Sequence, residues 1–235
     1  MTPARIQRLR QVLERRQPDL TVVTDFVHKP RNLSALLRVC DAVGVLGVRA
    51  VLPPQEFRAF RGTAAGTQRW VEVQREDSLD AAMTALREQG FQLLGAHPDS
   101  AAVDFRDVDY TVPTALVLGA ERRGLGSAAR DNVDTCVSIP MVGMVDSLNV
   151  SVAAGIILCE AQRQRQAAGL YDRRRIGAAT YRRLLFEWGH PAVRDFCRER
   201  GLAYPPLDAS GEIVDPPGWY ASVRAGTAPR REECE

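Results

Sequence analysis

Lysine is almost absent from this chain of 235 residues: 30 of its 31 basic residues are arginine, and Lys29 is the exception. The bias identifies no partner by itself, since genomic base composition produces it too. Aromatic residues are scarce, at 6%. No stretch reaches the roughly 20 consecutive apolar residues that cross a bilayer. The start, Met1-Thr2-Pro3-Ala4-Arg5, lacks the apolar core of a signal peptide. A cytoplasmic protein with no membrane partner is therefore expected. His28, His97 and His190 lack metal-ligand spacing, and no metal site is expected. Cys40, Cys136, Cys159, Cys197 and Cys234 are odd in number and scattered, which suggests neither a disulfide framework nor a CxxC site. The phosphate-cradling patterns GxxxxGK[ST] and GxGxxG are missing, as is the GxSxG of a serine hydrolase.

What is present suits a globular chain: 45% apolar and 26% charged residues can bury a sizeable core, read as one domain with terminal additions. The formal net charge of +2 conceals a partition. Residues 1–20 carry five Arg against Glu14 and Asp19, net +3, and residues 161–200 carry ten Arg against four acids, net +6. Residues 21–160 are net −4 and residues 201–235 net −3. A charge run is commonly a solvated face. Two basic flanks around a slightly acidic middle also suit a polyanion, because guanidinium forks match phosphate oxygens. In the first flank Ile6, Leu9 and Leu13 fall on one stripe of a helix, with Arg5, Arg8, Arg15 and Arg16 on its cationic face.

Between the flanks, short apolar runs occur at Leu20–Val27, Val48–Leu52, Phe91–Ala96, Ala115–Leu118 and Cys136–Ile139. Being continuous rather than alternating, they read as parallel strands buried on both faces. Helical spacing intervenes. Leu33, Leu36, Leu37, Cys40 and Val43 share one face, with Asn32 as N-cap and Gly44 as stop. Further helices are expected from about Ser78 to Glu88 and from about Asn149 to Gln166, and a linker at Tyr204–Gly218. This alternation predicts an α/β fold around a mostly parallel sheet, with its ligand site at the carboxyl ends of the strands.

Three segments concentrate polar and small residues, each with two readings. In Asn32–Arg38, Asn32 and Arg38 bracket a turn and a half of helix; they are either site residues or a cap and an i+3 partner of Asp41. Leu118–Gly126 places three glycines directly after a strand, either as a plain turn or as a close approach of backbone to a ligand. Ile139–Ala153 runs through Ser147 and Asn149 into a helix rich in small residues, either as a capped, tightly packed helix or as a binding loop.

Together, and in this order, the three segments resemble the motifs of the SpoU/TrmH family of RNA ribose 2′-O-methyltransferases in the SPOUT superfamily. The resembling residues are Asn32–Arg38 with Asp41–Val45, Leu118–Glu121 with Gly124-Leu125, and Ile139-Pro140-Met141 with Ser147–Ser151. The likeness extends to Arg15–Val22, Val27–Pro30 and Glu160–Gln166, and so covers most of the chain. It implies a C-terminal deep trefoil knot within the α/β fold, flanked by terminal helices: a basic helix at 1–20, a catalytic core at 21–160 and an Arg-rich tRNA-binding extension at 161–235. It further implies S-adenosylmethionine as cofactor, held by backbone around Ala96, Gly119, Ile139 and Leu148. Asn32, Arg38, Glu121, Ser147 and Asn149 would be the polar site residues of a homodimer with a composite active site. The members most alike methylate the ribose of guanosine 18 in the D-loop of tRNA; those acting on ribosomal RNA are the alternative. Arg8, Arg163, Arg165, Arg173, Arg174 and Arg175 are the arginines expected to meet RNA.

Overall fold

The computed structural model describes residues 1–27, 29–52, 69–98, 101–119 and 124–231. Their elements follow in chain order. Helix α1 (Pro3–Glu14) leads to strand β1 (Leu20–Asp25), helix α2 (Pro30–Ala42), β2 (Gly47–Val51) and β3 (Glu72–Glu76). Next come α3 (Leu79–Glu88), β4 (Gln92–Ala96), β5 (Val103–Asp104) and β6 (Thr114–Leu118). Helix α4 (Ser127–Asp131), β7 (Thr135–Ser138) and the long α5 (Val150–Ala167) follow, then α6 (Ala178–Gly189), α7 (Pro191–Arg200) and α8 (Pro216–Ala225). These residues fall into two compact units, Arg16–Arg175 and Met1–Arg15 with the segment from Ile176 onward.

In the larger unit seven strands form one sheet in the order β3-β2-β1-β6-β4-β7-β5. Every pairing is parallel. Alternate residues of the central strands point to opposite layers. Val22, Leu94 and Leu116 pack with Leu33, Leu36, Leu37 and Cys40 of α2 and with Ala154, Ile157, Leu158 and Ala161 of α5. Val23, Leu93, Ala115 and Val117 pack with Ala82, Met83 and Leu86 of α3 and Ala129 of α4. Burial on both faces is why these strands read as unbroken apolar runs. Strands β3 and β5 have no such run, and they are the two edges of the sheet. β3, Glu-Val-Gln-Arg-Glu, is largely solvated, so its pairing rests on the backbone ladder rather than on side-chain burial.

Helix ends mostly follow their local signals. Ser78 caps α3 through its hydroxyl and Asn149 caps α5. Gly44 ends the turn after α2 at φ 83°, a conformation that costs glycine little. Asn32 is not the N-cap of α2. The cap lies three residues earlier, at Lys29, extended ahead of Pro30, because proline at the first helical position has no N–H to leave unsatisfied. Burial pushes the Cys40 thiol up to about 12, leaving it inert.

Two arginines expected at the surface lie inside the larger unit. Arg16 is fully buried rather than on a cationic face; it donates to the Val45 carbonyl at 2.9 Å and pairs with Asp41, which therefore serves Arg16 and not Arg38. Arg165 is also fully buried. Its guanidinium donates to the carbonyls of Tyr110 (2.8 Å), Asp19 (3.0 Å) and Val112 (2.9 Å), and to Gln17 Oε1 (3.0 Å) and Asp19 Oδ1 (2.7 Å). Arg175 holds the same Asp19 carboxylate, at 2.6 and 2.8 Å.

In the smaller unit α1 buries Ile6, Leu9 and Leu13, as its stripe predicts, and packs on α6. Glu187 of α6 is buried and accepts from Arg198 (2.8 Å) and the Tyr204 hydroxyl (2.9 Å), with Arg183 at 3.3 Å. Tyr204–Gly218 is not a linker. Pro205 and Gly211 are buried, Leu207 bridges to Ile213, and the Asp208 carboxylate ties Ser210 and Glu212 into a turn. No helix among the described residues is long and apolar enough to cross a membrane.

Candidate active site

β6 enters the sheet late, between β1 and β4, and β7 enters between β4 and β5. The carboxyl ends of β4, β6 and β7 are thereby brought side by side, where an open parallel sheet places its ligands. They open on a cavity of about 410 Å³, within the range of roughly 300–1,000 Å³ usual for small-molecule sites. Ala96, Gly119, Ile139 and Leu148, four positions widely separated in sequence, all line it. Leu118, Val137, Val150 and Ile157 give it apolar walls, and His97, Ser138, Asp146 and Ser147 supply polar groups.

Gly119 is required by its surroundings. A Cβ there would lie 2.1 Å from the carbonyl carbon and oxygen of Gly124 and 2.4 Å from the Leu125 nitrogen. Two backbones therefore run in direct contact at the cavity wall. That close approach is the property expected of the glycine-bearing segment after β6, and here it is made to the chain itself.

Asn149 joins the first and third segments. Its Oδ1 accepts from Ser151 N at 2.9 Å and from the Ser151 hydroxyl at 2.6 Å, which caps α5. A backbone N–H only donates, so the cap orients the amide and leaves Nδ2 facing outward. That Nδ2 donates to Asn32 Oδ1, 3.2 Å away and 117 positions earlier in sequence. Ser147 is exposed on the loop entering α5. Arg38 is exposed on α2, and among the described residues it makes no hydrogen bond or ion pair. Glu121 lies outside the described residues.

The six arginines assigned to RNA separate. Arg8, Arg173 and Arg174 are exposed, and Arg163 is exposed with an ion pair to Glu160 at 2.7 Å. Arg175 is half-buried on Asp19, and Arg165 is withdrawn from solvent altogether, so a phosphate contact by its side chain is ruled out in this fold. Arg163 and Arg165 differ because two residues turn an α-helix by about 200°, setting them on opposite faces of α5.

His97, Ser138 and Asp146 also line the cavity and are not among the expected site residues; the sequence signal for His97 is its place directly after Ala96 at a strand end.

The chain matches the SpoU rRNA Methylase family over residues 19–159 and the SpoU rRNA methylase C-terminal family over residues 163–216. It is 45% identical over 227 residues to the tRNA (guanosine(18)-2′-O)-methyltransferase of Escherichia coli K12, covering 96% of this chain and 99% of that one. Among solved structures it is similar to the TrmH/SpoU tRNA modifying enzyme of A. aeolicus, with TM-score 0.74 and 40% identity over 82% of this chain and 96% of that one. It is also similar to the SpoU methyltransferase AviRb of Streptomyces viridochromogenes in complex with AdoMet, with TM-score 0.56 and 30% identity over 66% and 59% of the two chains.

Proposed function

The chain belongs to the SpoU methylase family, and from that premise we propose that it transfers a methyl group from S-adenosylmethionine to the ribose 2′-hydroxyl of guanosine 18 in tRNA. One observation carries the reading. Residues of separate segments, Ala96, Gly119, Ile139 and Leu148, meet around a single cavity of ligand size beside the Asn32–Asn149 pair. The cavity fits the cofactor chemically, with apolar walls for an adenine and the polar residues His97, Ser138, Asp146 and Ser147 for its polar groups.

When bound, S-adenosylmethionine supplies an electrophilic methyl on its sulfonium. The work left to the chain is alignment of a weak nucleophile, which is worth several orders of magnitude in rate. Asn149 does this indirectly: capping α5 holds the third-segment loop, and its free amide hydrogen fixes Asn32. Arg38, with no hydrogen bond or ion pair among the described residues, is available to ribose and phosphate oxygens. An arginine remains protonated in proteins, so its simplest role is to position and polarise the 2′-oxygen as a cation. Ser147 shapes the cofactor loop, and Glu121 orients the arginine or Asn32.

The reading extends to the family's trefoil knot, supported by the likeness to the SpoU family and its solved structures. It also extends to a homodimer in which Arg38 reaches the partner's cofactor. The exposed apolar residues Val142, Met144, Val145 and Val152 around the third segment support a protein partner there. Residues 1–20 and 161–235 act as tRNA-gripping flanks of the 21–160 core, with Arg8, Arg163, Arg173 and Arg174 as the exposed contacts, and the enzyme works with tRNA in the cytoplasm.

The test is transfer of labelled methyl from S-adenosylmethionine to purified tRNA and ribosomal RNA, followed by mapping of the modified nucleotide. Label at guanosine 18 of tRNA is expected. Label confined to ribosomal RNA would favour the ribosomal alternative, and no label in either would refute the methyltransferase reading.

A further inference from the structure

His97 follows β4 directly, and its backbone N–H continues the sheet by donating to the Val137 carbonyl at 3.1 Å. His97 is one of the residues lining the cavity. Nε2 stands 3.3 Å from Nη1 of Arg130 on α4. A guanidinium can only donate, so Nε2 must accept, and the single proton of the neutral imidazole is forced onto Nδ1. Nδ1 is buried and has no hydrogen-bond partner among the described residues. It also marks how closely the ring abuts the loop after β6: a Cβ on Gly124 would lie 3.1 Å from it. An N–H donor has therefore been fixed in direction by Arg130 and left unsatisfied at the wall of the cavity, an arrangement that is costly unless an acceptor arrives.

We infer that His97 is a side-chain cofactor-binding residue, its Nδ1–H donating to an acceptor of S-adenosylmethionine. This rests on the proposed methyltransferase reading and deepens it, since Ala96, Gly119, Ile139 and Leu148 are proposed to act through backbone and apolar contact. The Arg130 cation behind the ring disfavours a sulfonium nearby. The acceptor therefore belongs to the carboxylate or to the adenosine, at an end of the cofactor away from the methyl. His97 thus selects and orients the cofactor without touching the reacting atoms.

Calorimetry with the full-length protein tests this, with His97→Phe keeping the ring shape and removing the donor. Affinity for S-adenosylmethionine is expected to fall about three- to tenfold, the worth of one such hydrogen bond. His97→Asn, whose amide nitrogen takes the place of Nδ1, should recover most of it, and His97→Gln should not. With 5′-methylthioadenosine, which lacks the carboxylate, an equal fall places the acceptor on the adenosine, and no fall places it on the carboxylate. ¹⁵N NMR of the unmutated protein should show Nδ1 protonated before ligand and its signal displaced on titration. Wild type that binds S-adenosylmethionine no better than His97→Phe does, or an Nε2-protonated ring, overturns the inference alone. Wild type that takes up no S-adenosylmethionine overturns the proposed function with it.

Discussion

Arg163 and Arg165 stand two residues apart in one basic segment, and the fold assigns them opposite fates, which a pair of alanine substitutions would separate. Arg165→Ala removes five hydrogen bonds from the larger unit. Most of the acceptors keep a second donor: Asp19 Oδ1 and Gln17 Oε1 retain Arg175, the Asp19 carbonyl retains Thr114 N, and the Val112 carbonyl retains the Thr114 hydroxyl. For the Tyr110 carbonyl, Arg165 is the donor at 2.8 Å, and stranding a buried acceptor costs about 1–3 kcal/mol. Asp19 also loses one of two cations, and removing one partner of a buried pair costs about 3–5 kcal/mol in known cases. Arg175 remains beside it, so about 3–4 kcal/mol in total is the reasonable expectation. At roughly 2–4 °C per kcal/mol for a chain of this size, the melting temperature should fall by about 6–16 °C. Arg163→Ala removes an exposed pair with Glu160 and should change stability by less than about 1 kcal/mol. Its effect should instead appear as weaker tRNA binding and a shallower dependence of affinity on salt. Thermal denaturation and tRNA titration at several salt concentrations read both. Arg165→Ala with an unchanged melting temperature and impaired tRNA binding would refute the assignment.

Three further outcomes follow from the same geometry. Burial pushes the Asp19 carboxyl up, but hydrogen bonds and attraction from Arg165 and Arg175 outweigh it and hold the group below its ordinary value. Its contribution is thus fully present above the unfolded carboxylate pKa near 4 and fades as pH falls through the lower folded value; acid denaturation of Asp19→Asn should lack that component. Gly119→Ala places a methyl against the Gly124 carbonyl, and calorimetry should show S-adenosylmethionine uptake lost even where the chain still folds. Asn149→Ser keeps a capping oxygen for α5 but loses the amide to Asn32; a melting temperature within about 3 °C of wild type with clearly slower methyl transfer is expected, whereas Asn149→Ala should also lose about 1 kcal/mol of stability. Transfer by Asn149→Ser at the wild-type rate would show that the Asn32 link is dispensable.

Local patterns in the chain were enough to specify the central strands, the stripe on α1 and the helix starts at Ser78 and Asn149. Each of these is decided within a few residues, by burial on both faces of a strand or by a side chain reaching the next turn. The family resemblance carried by the three polar segments likewise implied Ala96, Gly119, Ile139 and Leu148, which the fold brings to one cavity. Edge strands β3 and β5 escaped notice because an edge needs only backbone partners, which leave no apolar signature. The start of α2 lies three residues before the expected one because Asn32 has the chemistry of a cap, while Pro30 settles the matter through its missing N–H. Tertiary structure alone decided which arginines are surface charges. Arg16 and Arg165 carry the same side chain as Arg8 and Arg163, and their burial depends on Asp41, Asp19 and carbonyls as far as 146 residues away. It alone gave His97 a direction as well, since the proton on Nδ1 is set by Arg130, 33 residues downstream in sequence and brought to the ring only by the fold.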